Sequence, residues 1–212
     1  MAEVLTRLGE AGLVPVIKLE NADKAVPLAE TLAEAGLPVA EVTFRTDAAE
    51  ASIRAMAKNV PSVLVGAGTV LTVDNAKAAL DAGAAFIVTP GFNQRVVEFC
   101  LAKGVPITPG INNPTGIESA LDLGITTVKF FPAEASGGIP MIKALSAPYG
   151  MVRFIPTGGI SKDNLADYLK LPSIHACGGS WIVPSKAIGE GDFATVKSLI
   201  TEAVAIVADT RK

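Results

Sequence analysis

A rhythm restricts the fold of this chain more than any single motif does: short β-branched runs alternate with longer helical patterns along the whole sequence. The candidate strands are 14–19, 39–44, 63–66, 86–88, 106–108, 126–131, 152–155 and 174–177. Helical runs at 22–35, 48–58, 73–82, 94–103 and 115–123 lie between them, and 193–208 closes the series as a long amphipathic helix. Gly36, Gly83, Gly104 and Gly124 each follow a helical run, where a left-handed C-terminal cap is expected. Ser161 before KDN and Asn113 before Pro114 have the chemistry of N-caps.

The strands recur roughly every 20–28 residues with no linker. That spacing predicts an α/β chain: one (β/α)8 TIM-barrel domain over residues 1–212, with a short N-terminal helix at 2–8 plugging its bottom. A doubly wound open sheet is the alternative. It usually carries a G-x-G-x-x-G turn after its first strand, whereas here the first strand runs into KLENAD.

Composition narrows the function classes. Half of the 212 residues are hydrophobic but only 5% are aromatic, which suits close-packed helices around a sheet of branched residues. The net charge is −3 with no basic block, which argues against nucleic acid as a partner and leaves a small anionic ligand open. No run of about 18 apolar residues exists to span a membrane. The opening MAEVLTRLGEAG has an early acid and no long apolar stretch, unlike a secretory signal. Cys100, Cys177 and the single histidine, His175, give neither a disulfide framework nor a zinc site, and the expected setting is a reducing cytoplasm. Both cysteines read as small buried residues, His175 as structural and Trp181 as helix-layer packing.

Barrel chemistry sits at the carboxyl ends of the strands. In VAEVTFRT the period of two puts Glu41, Thr43 and Arg45 on one face, and the apolar Ala40, Val42 and Phe44 on the other. Burying the first set costs several kcal/mol, about 2–7 per unpaired polar group, so a merely stabilising core would not select it. The bland alternative is a Glu41–Arg45 pair at a solvated rim. In TTVKFFP, Thr127, Lys129 and Phe131 share a face. A lysine there cannot easily reach water, and burial beside a cation such as Arg45 disfavours an ammonium. The neutral amine attacks a ketone to form an iminium, an electron sink for a neighbouring carbanion. The alternative for Lys129 is a salt bridge to Glu41 across the barrel.

PTGGIS and CGGS place paired glycines before a serine at two adjacent strand ends: Gly158–Gly159 before Ser161, and Gly178–Gly179 before Ser180. Turns of this kind let backbone N–H groups converge on an anion, and phosphate sites after strands seven and eight recur in barrels. Ordinary tight turns are the alternative. GAGT brings Thr69 to the rim, and TPGF places Pro90 and Phe92 on the wall.

The ordered motifs EVTFRT, GAGTVL, TPG, VKFFPAE, RFIPTGGI and GGSWIVP resemble the bacterial 2-keto-3-deoxy-6-phosphogluconate (KDPG) aldolase family, whose members often also act on 4-hydroxy-2-oxoglutarate (KHG). The resemblance covers nearly the whole chain. It implies a homotrimeric barrel, a reaction without metal or other cofactor, and a phosphorylated 2-keto acid as substrate. It assigns Lys129 as the Schiff-base lysine and Glu41 as the general acid–base. Arg45 and Thr69 would hold the pyruvate carboxylate, and Phe131 and Pro90 would line the pocket. Gly158, Gly159 and Ser180 would receive the phosphate, with Thr157 near the sugar hydroxyls. The departures are GINNPTGIE after strand five, Phe92–Asn93 after strand four, and Cys177 before the glycine pair; the two loops put aldehyde preference in doubt. A sugar-phosphate isomerase using Glu41 without a covalent lysine, and a non-catalytic sugar-phosphate binder, are the competing readings.

Overall fold

In the computed structural model, which describes residues 1–211, the strands are β1 (Leu13–Ile17), β2 (Val39–Thr43), β3 (Leu64–Gly68), β4 (Ile87–Val88), β5 (Ile107–Thr108), β6 (Gly110–Ile111), β7 (Thr127–Phe130), β8 (Arg153–Pro156) and β9 (Cys177–Gly179). One parallel run is ordered β5-β4-β3-β2-β1-β9 and a second β6-β7-β8. The chain joins β5 to β6 through Pro109, and parallel bridges Phe154–Ile174 and Thr157–Gly178 join the other ends. The ring therefore closes as a parallel barrel with eight strand positions, the fifth split in two. Pro109 has no N–H to give to a ladder. The strand changes partner there: Ile107 and Thr108 pair with β4, whereas Gly110 and Ile111 pair with β7.

The helices are α1 (Ala2–Ala11), α2 (Ala25–Glu34), α3 (Ala49–Asn59), α4 (Val73–Asp81), α5 (Gln94–Ala102), α6 (Pro114–Asp122), α7 (Gly138–Ser146), α8 (Lys162–Leu169), α9 (Ser185–Glu190) and α10 (Phe193–Thr210). The expected caps are present. Gly36, Gly83, Gly104 and Gly124 have φ of 81°, 100°, 67° and 75°. Ser161 forms a capping box with Asn164, and Asn113 accepts from the Gly116 N–H at 2.9 Å. α7, α8 and α9 lie outside the helical runs that the sequence pattern picks out, although the Ser161 cap marks where α8 begins.

Strand alternation divides the interior into two cores. Outward residues such as Ala40, Val42, Val65 and Val128 pack with the helices. Inward, Leu8, Val14, Val39, Leu64, Phe86, Val88 and Ala176 fill the lower barrel. Leu8 comes from α1, so the N-terminal helix does plug the bottom, and burying that side chain contributes about 1.5–3 kcal/mol. His175 is structural there as expected: its Nε2 donates to the Leu5 carbonyl at 2.7 Å, and Arg211 donates to the His175 carbonyl at 2.8 Å. The polar chemistry is left to the upper half.

Candidate active site

Glu41 and Lys129 meet inside the barrel. On β2, Val39, Glu41 and Thr43 point inward, and Glu41 is only 3% exposed. Room for its carboxylate comes from Gly68 on the neighbouring strand, where a Cβ would collide with Glu41 Oε1 and lie 2.7 Å from its Cγ. On β7, Lys129 points inward and is 5% exposed. Its Nζ lies 3.4 Å from Glu41 Oε1 and 5.2 Å from the Phe131 ring centroid, a cation–π distance. Leu8, Val14, Phe86 and Val88 border the pair, with Thr108, Ile155 and Thr157 completing the lining.

The expected competitor for Lys129, an ion pair with Glu41, is thus present, but it is a loose one. A tight charge-assisted bond measures about 2.7–2.9 Å. Two charges taken out of water at 3.4 Å, with few other donors around them, make a poor stabilising device. The same contact sets a carboxylate within proton-transfer reach of an amine in a dry wall, which is useful chemistry.

Toward the rim, Thr43 Oγ1 donates to the Ile17 carbonyl at 2.7 Å and accepts from Arg45 Nε at 2.9 Å. Arg45 is exposed at the end of β2, and among the described residues it forms no ion pair with Glu41. Thr69 follows Gly68 with φ 55°, the only positive φ of a non-glycine residue among those described. A β-branched side chain is strained in that region, and such strain marks positions held for a purpose. Pro90 and Phe131 both line a cleft of about 720 Å³ that also reaches Phe92, Asn112 and Asn113. The two loops expected to border the mouth therefore do meet there.

Gly158 and Gly159 form the turn after β8, with φ of 98° and 83°. The turn lies close to Phe131: a Cβ on Gly158 would be 3.5 Å from its ring edge. The second pair is a correction to the sequence reading. Gly178 and Gly179 are not a turn but the last residues of β9, paired with Val14 and Pro15 of β1. They are glycines because space is needed beside them: a Cβ on Gly178 would strike the Thr157 hydroxyl, and one on Gly179 the Trp181 ring. Ser180 is exposed immediately after the strand.

The family described as KDPG and KHG aldolase matches residues 4–199. The chain belongs to this family. A 2-dehydro-3-deoxy-phosphogluconate aldolase of Haemophilus influenzae is 50% identical over 205 residues, 97% of each chain. The crystal structure of the KDPG aldolase of Zymomonas mobilis with 3-phosphoglycerate superposes with a TM-score of 0.89 at 40% identity, covering 96% of this chain and 95% of that one. A KDPG aldolase of Legionella pneumophila, with pyruvate captured at low pH as a covalent carbinolamine, gives a TM-score of 0.90 at 36% identity, covering 94% and 96%. As a KDPG/KHG aldolase family member the chain is a carbon–carbon lyase of the TIM-barrel type.

One residue around this aldolase site, Thr108, escapes the sequence reading, which places Thr43 on the inward face without a role. Thr108 lines the wall beside Lys129 and Glu41, and Thr43 anchors Arg45. The signal for Thr108 was a repeat: Thr89-Pro90-Gly91 ends one strand and Thr108-Pro109-Gly110 the next. The cysteines fit the packing role expected of them. Both are free and buried, and burial pushes the Cys100 thiol up to about 11 and the Cys177 thiol to about 12. A thiol so far above neutral pH is a poor nucleophile.

Proposed function

We propose that this chain is a class I aldolase that reversibly cleaves 2-keto-3-deoxy-6-phosphogluconate to pyruvate and glyceraldehyde 3-phosphate, with Lys129 as the Schiff-base residue and Glu41 as the general acid–base. The observation that carries the reading is the sealed Lys129–Glu41 contact of 3.4 Å. The names of the Haemophilus relative and the trapped pyruvate of the Legionella neighbour support it.

The reaction runs from the amine. Neutral Lys129 attacks the C2 ketone, and Glu41 delivers the proton that lets the carbinolamine lose water to an iminium. As carboxylate, Glu41 then takes the C4 hydroxyl proton. The C3–C4 bond breaks, its electron pair enters the iminium, and glyceraldehyde 3-phosphate leaves. Glu41 returns the proton to C3 of the enamine, and water releases pyruvate. Arg45 and Thr69 hold the carboxylate, the guanidinium by a charge-assisted pair. Phe131 and Pro90 line the site, Thr157 lies near the sugar hydroxyls, and Gly158, Gly159 and Ser180 take the phosphate, with Gly178 and Gly179 giving Thr157 and Trp181 their room. Bound 3-phosphoglycerate in the Zymomonas neighbour supports a phosphorylated substrate.

Cleavage of 4-hydroxy-2-oxoglutarate to pyruvate and glyoxylate belongs to the same proposal, because it needs only the pyruvate end of the site, and the matched family carries both substrate names. A homotrimer in the cytoplasm completes it. Both thiols are unpaired, and among the described residues no helix is long and apolar enough to cross a membrane. Light scattering should give three times the mass of the chain.

Pyruvate release from the phosphorylated substrate, followed in wild type and Lys129→Ala, tests the assignment. Wild type should turn over, and the variant should be inactive with an unchanged circular dichroism spectrum. Comparable release by Lys129→Ala would overturn the Schiff-base role.

A further inference from the structure

The Gly158–Gly159 turn is held from behind by two residues, Glu134 and Asn164, with no place in the reaction so far. The carbonyl of Gly158 accepts from the Glu134 N–H at 3.1 Å, and that of Gly159 from Asn164 Nδ2 at 3.0 Å. Both carbonyls are thereby committed to the protein. The Glu134 stem also covers Gly159, where a Cβ would lie 2.7 Å from the Glu134 Cβ.

Glu134 is itself fixed. Its carboxylate accepts from the hydroxyl of Tyr168, a fully buried residue in the last turn of α8. Burial, and then the Glu134 carboxylate, pushes the Tyr168 hydroxyl well above its ordinary pKa, so it stays a donor. Gly138 fits tightly against the contact at φ 55°: a Cβ there would be 3.0 Å from Glu134 Oε1 and 3.1 Å from the Tyr168 hydroxyl. α8 therefore grips the turn at both ends, through Asn164 in its first turn and through Tyr168 and Glu134 in its last. The Glu134 side chain itself is exposed.

We propose that Glu134, anchored by Tyr168, is a positioning residue that shapes the Gly158–Gly159 turn for the phosphoryl end of the substrate, and so decides the preference for phosphorylated over unphosphorylated 2-keto acids. The proposal rests on the phosphate reading of that turn given above. It extends it by naming the side chains that give the turn its shape.

The test uses the purified full chain with two substrates that share the pyruvate end: the phosphorylated C6 acid and 4-hydroxy-2-oxoglutarate. Tyr168→Phe removes only a hydroxyl from a buried ring, and Glu134→Ala removes the carboxylate that Tyr168 holds and the Cγ that covers Gly159. Both should raise KM for the phosphorylated substrate about tenfold, a factor within the range of one bond to a charged group. kcat for that substrate, and both constants for the unphosphorylated one, should stay within about twofold, since the turn does not touch the reacting bond. Glu134→Gln, which keeps the stem and an acceptor for Tyr168, should stay near wild type.

Inorganic phosphate, read as a competitive inhibitor, should weaken in step in the first two variants. Equal losses on both substrates, or no change on either, would overturn the positioning role. If Glu134→Ala fails to fold, Tyr168→Phe decides alone. Should phosphate fail to compete even in wild type, the phosphate reading falls first and takes this proposal with it. Loss confined to the variants with wild-type competition intact speaks only to Glu134 and Tyr168.

Discussion

Glu41 and Lys129, 88 residues apart in sequence, face each other across the barrel with Oε1 and Nζ separated by 3.4 Å and both side chains nearly sealed from solvent. The strand period sets that meeting. Each residue replaces an apolar one on an inward face, and Gly68 clears the space that the carboxylate fills. The pair sets an amine that can serve as nucleophile beside a carboxyl group that can move its protons.

Glu41→Gln keeps the volume and removes the base. Steady-state assays should show kcat falling by about 10²–10⁴, the usual worth of a general acid–base. A pyruvate adduct should still form, because the attacking amine is untouched. Retained kcat would assign the proton transfers elsewhere.

Gly68→Ala places a methyl group where the Glu41 carboxylate now lies. Overpacking of this kind costs about 1–3 kcal/mol, so the variant should fold with a lowered melting temperature. Its kcat should fall further than its stability alone explains, because Glu41 must turn aside. Wild-type turnover would mean that the carboxylate position is not critical.

Thr43→Val removes the acceptor of Arg45 Nε and the donor to the Ile17 carbonyl. The loss of both side-chain bonds leaves the Arg45 guanidinium without its hold on β2. KM should rise for the phosphorylated and unphosphorylated substrates together, since both present the same carboxylate. A rise for only one of them would contradict the role given to Arg45.

Acid stability should depend on His175. Burial, with Arg211 and Arg153 adding to it, lowers its pKa below the ordinary 6.5 despite the bond to Leu5. The folded state therefore binds fewer protons than the unfolded one in the window just below 6.5. Stability is full above 6.5 and declines as pH falls from there through the folded pKa. Melting temperatures between about pH 7.5 and 5 should drop more in wild type than in His175→Gln, which does not titrate. A smaller drop in wild type would reverse the sign.

Much of this was legible before any coordinates. Charged residues at inward positions of apolar strands mark Glu41 and Lys129, because burial without purpose is costly. Glycines after helical runs gave the caps. What failed did so for physical reasons. Gly178–Gly179 resemble a turn in sequence, yet they are strand residues making space for Thr157 and Trp181, neighbours that only the fold supplies. α7 is obscured by Pro140, normally a helix breaker, which is tolerated here because it falls in the first turn. The hold of Glu134 and Tyr168 on the phosphate turn is a contact across 34 residues with no periodic trace.

The central claim is that Lys129 is the nucleophile, and covalent trapping tests it most directly. Wild-type protein incubated with pyruvate and borohydride should gain the mass of one reduced pyruvyl group. Peptide mapping should place it on Lys129, with no gain in Lys129→Ala. An adduct on another lysine, or none at all, would contradict the account.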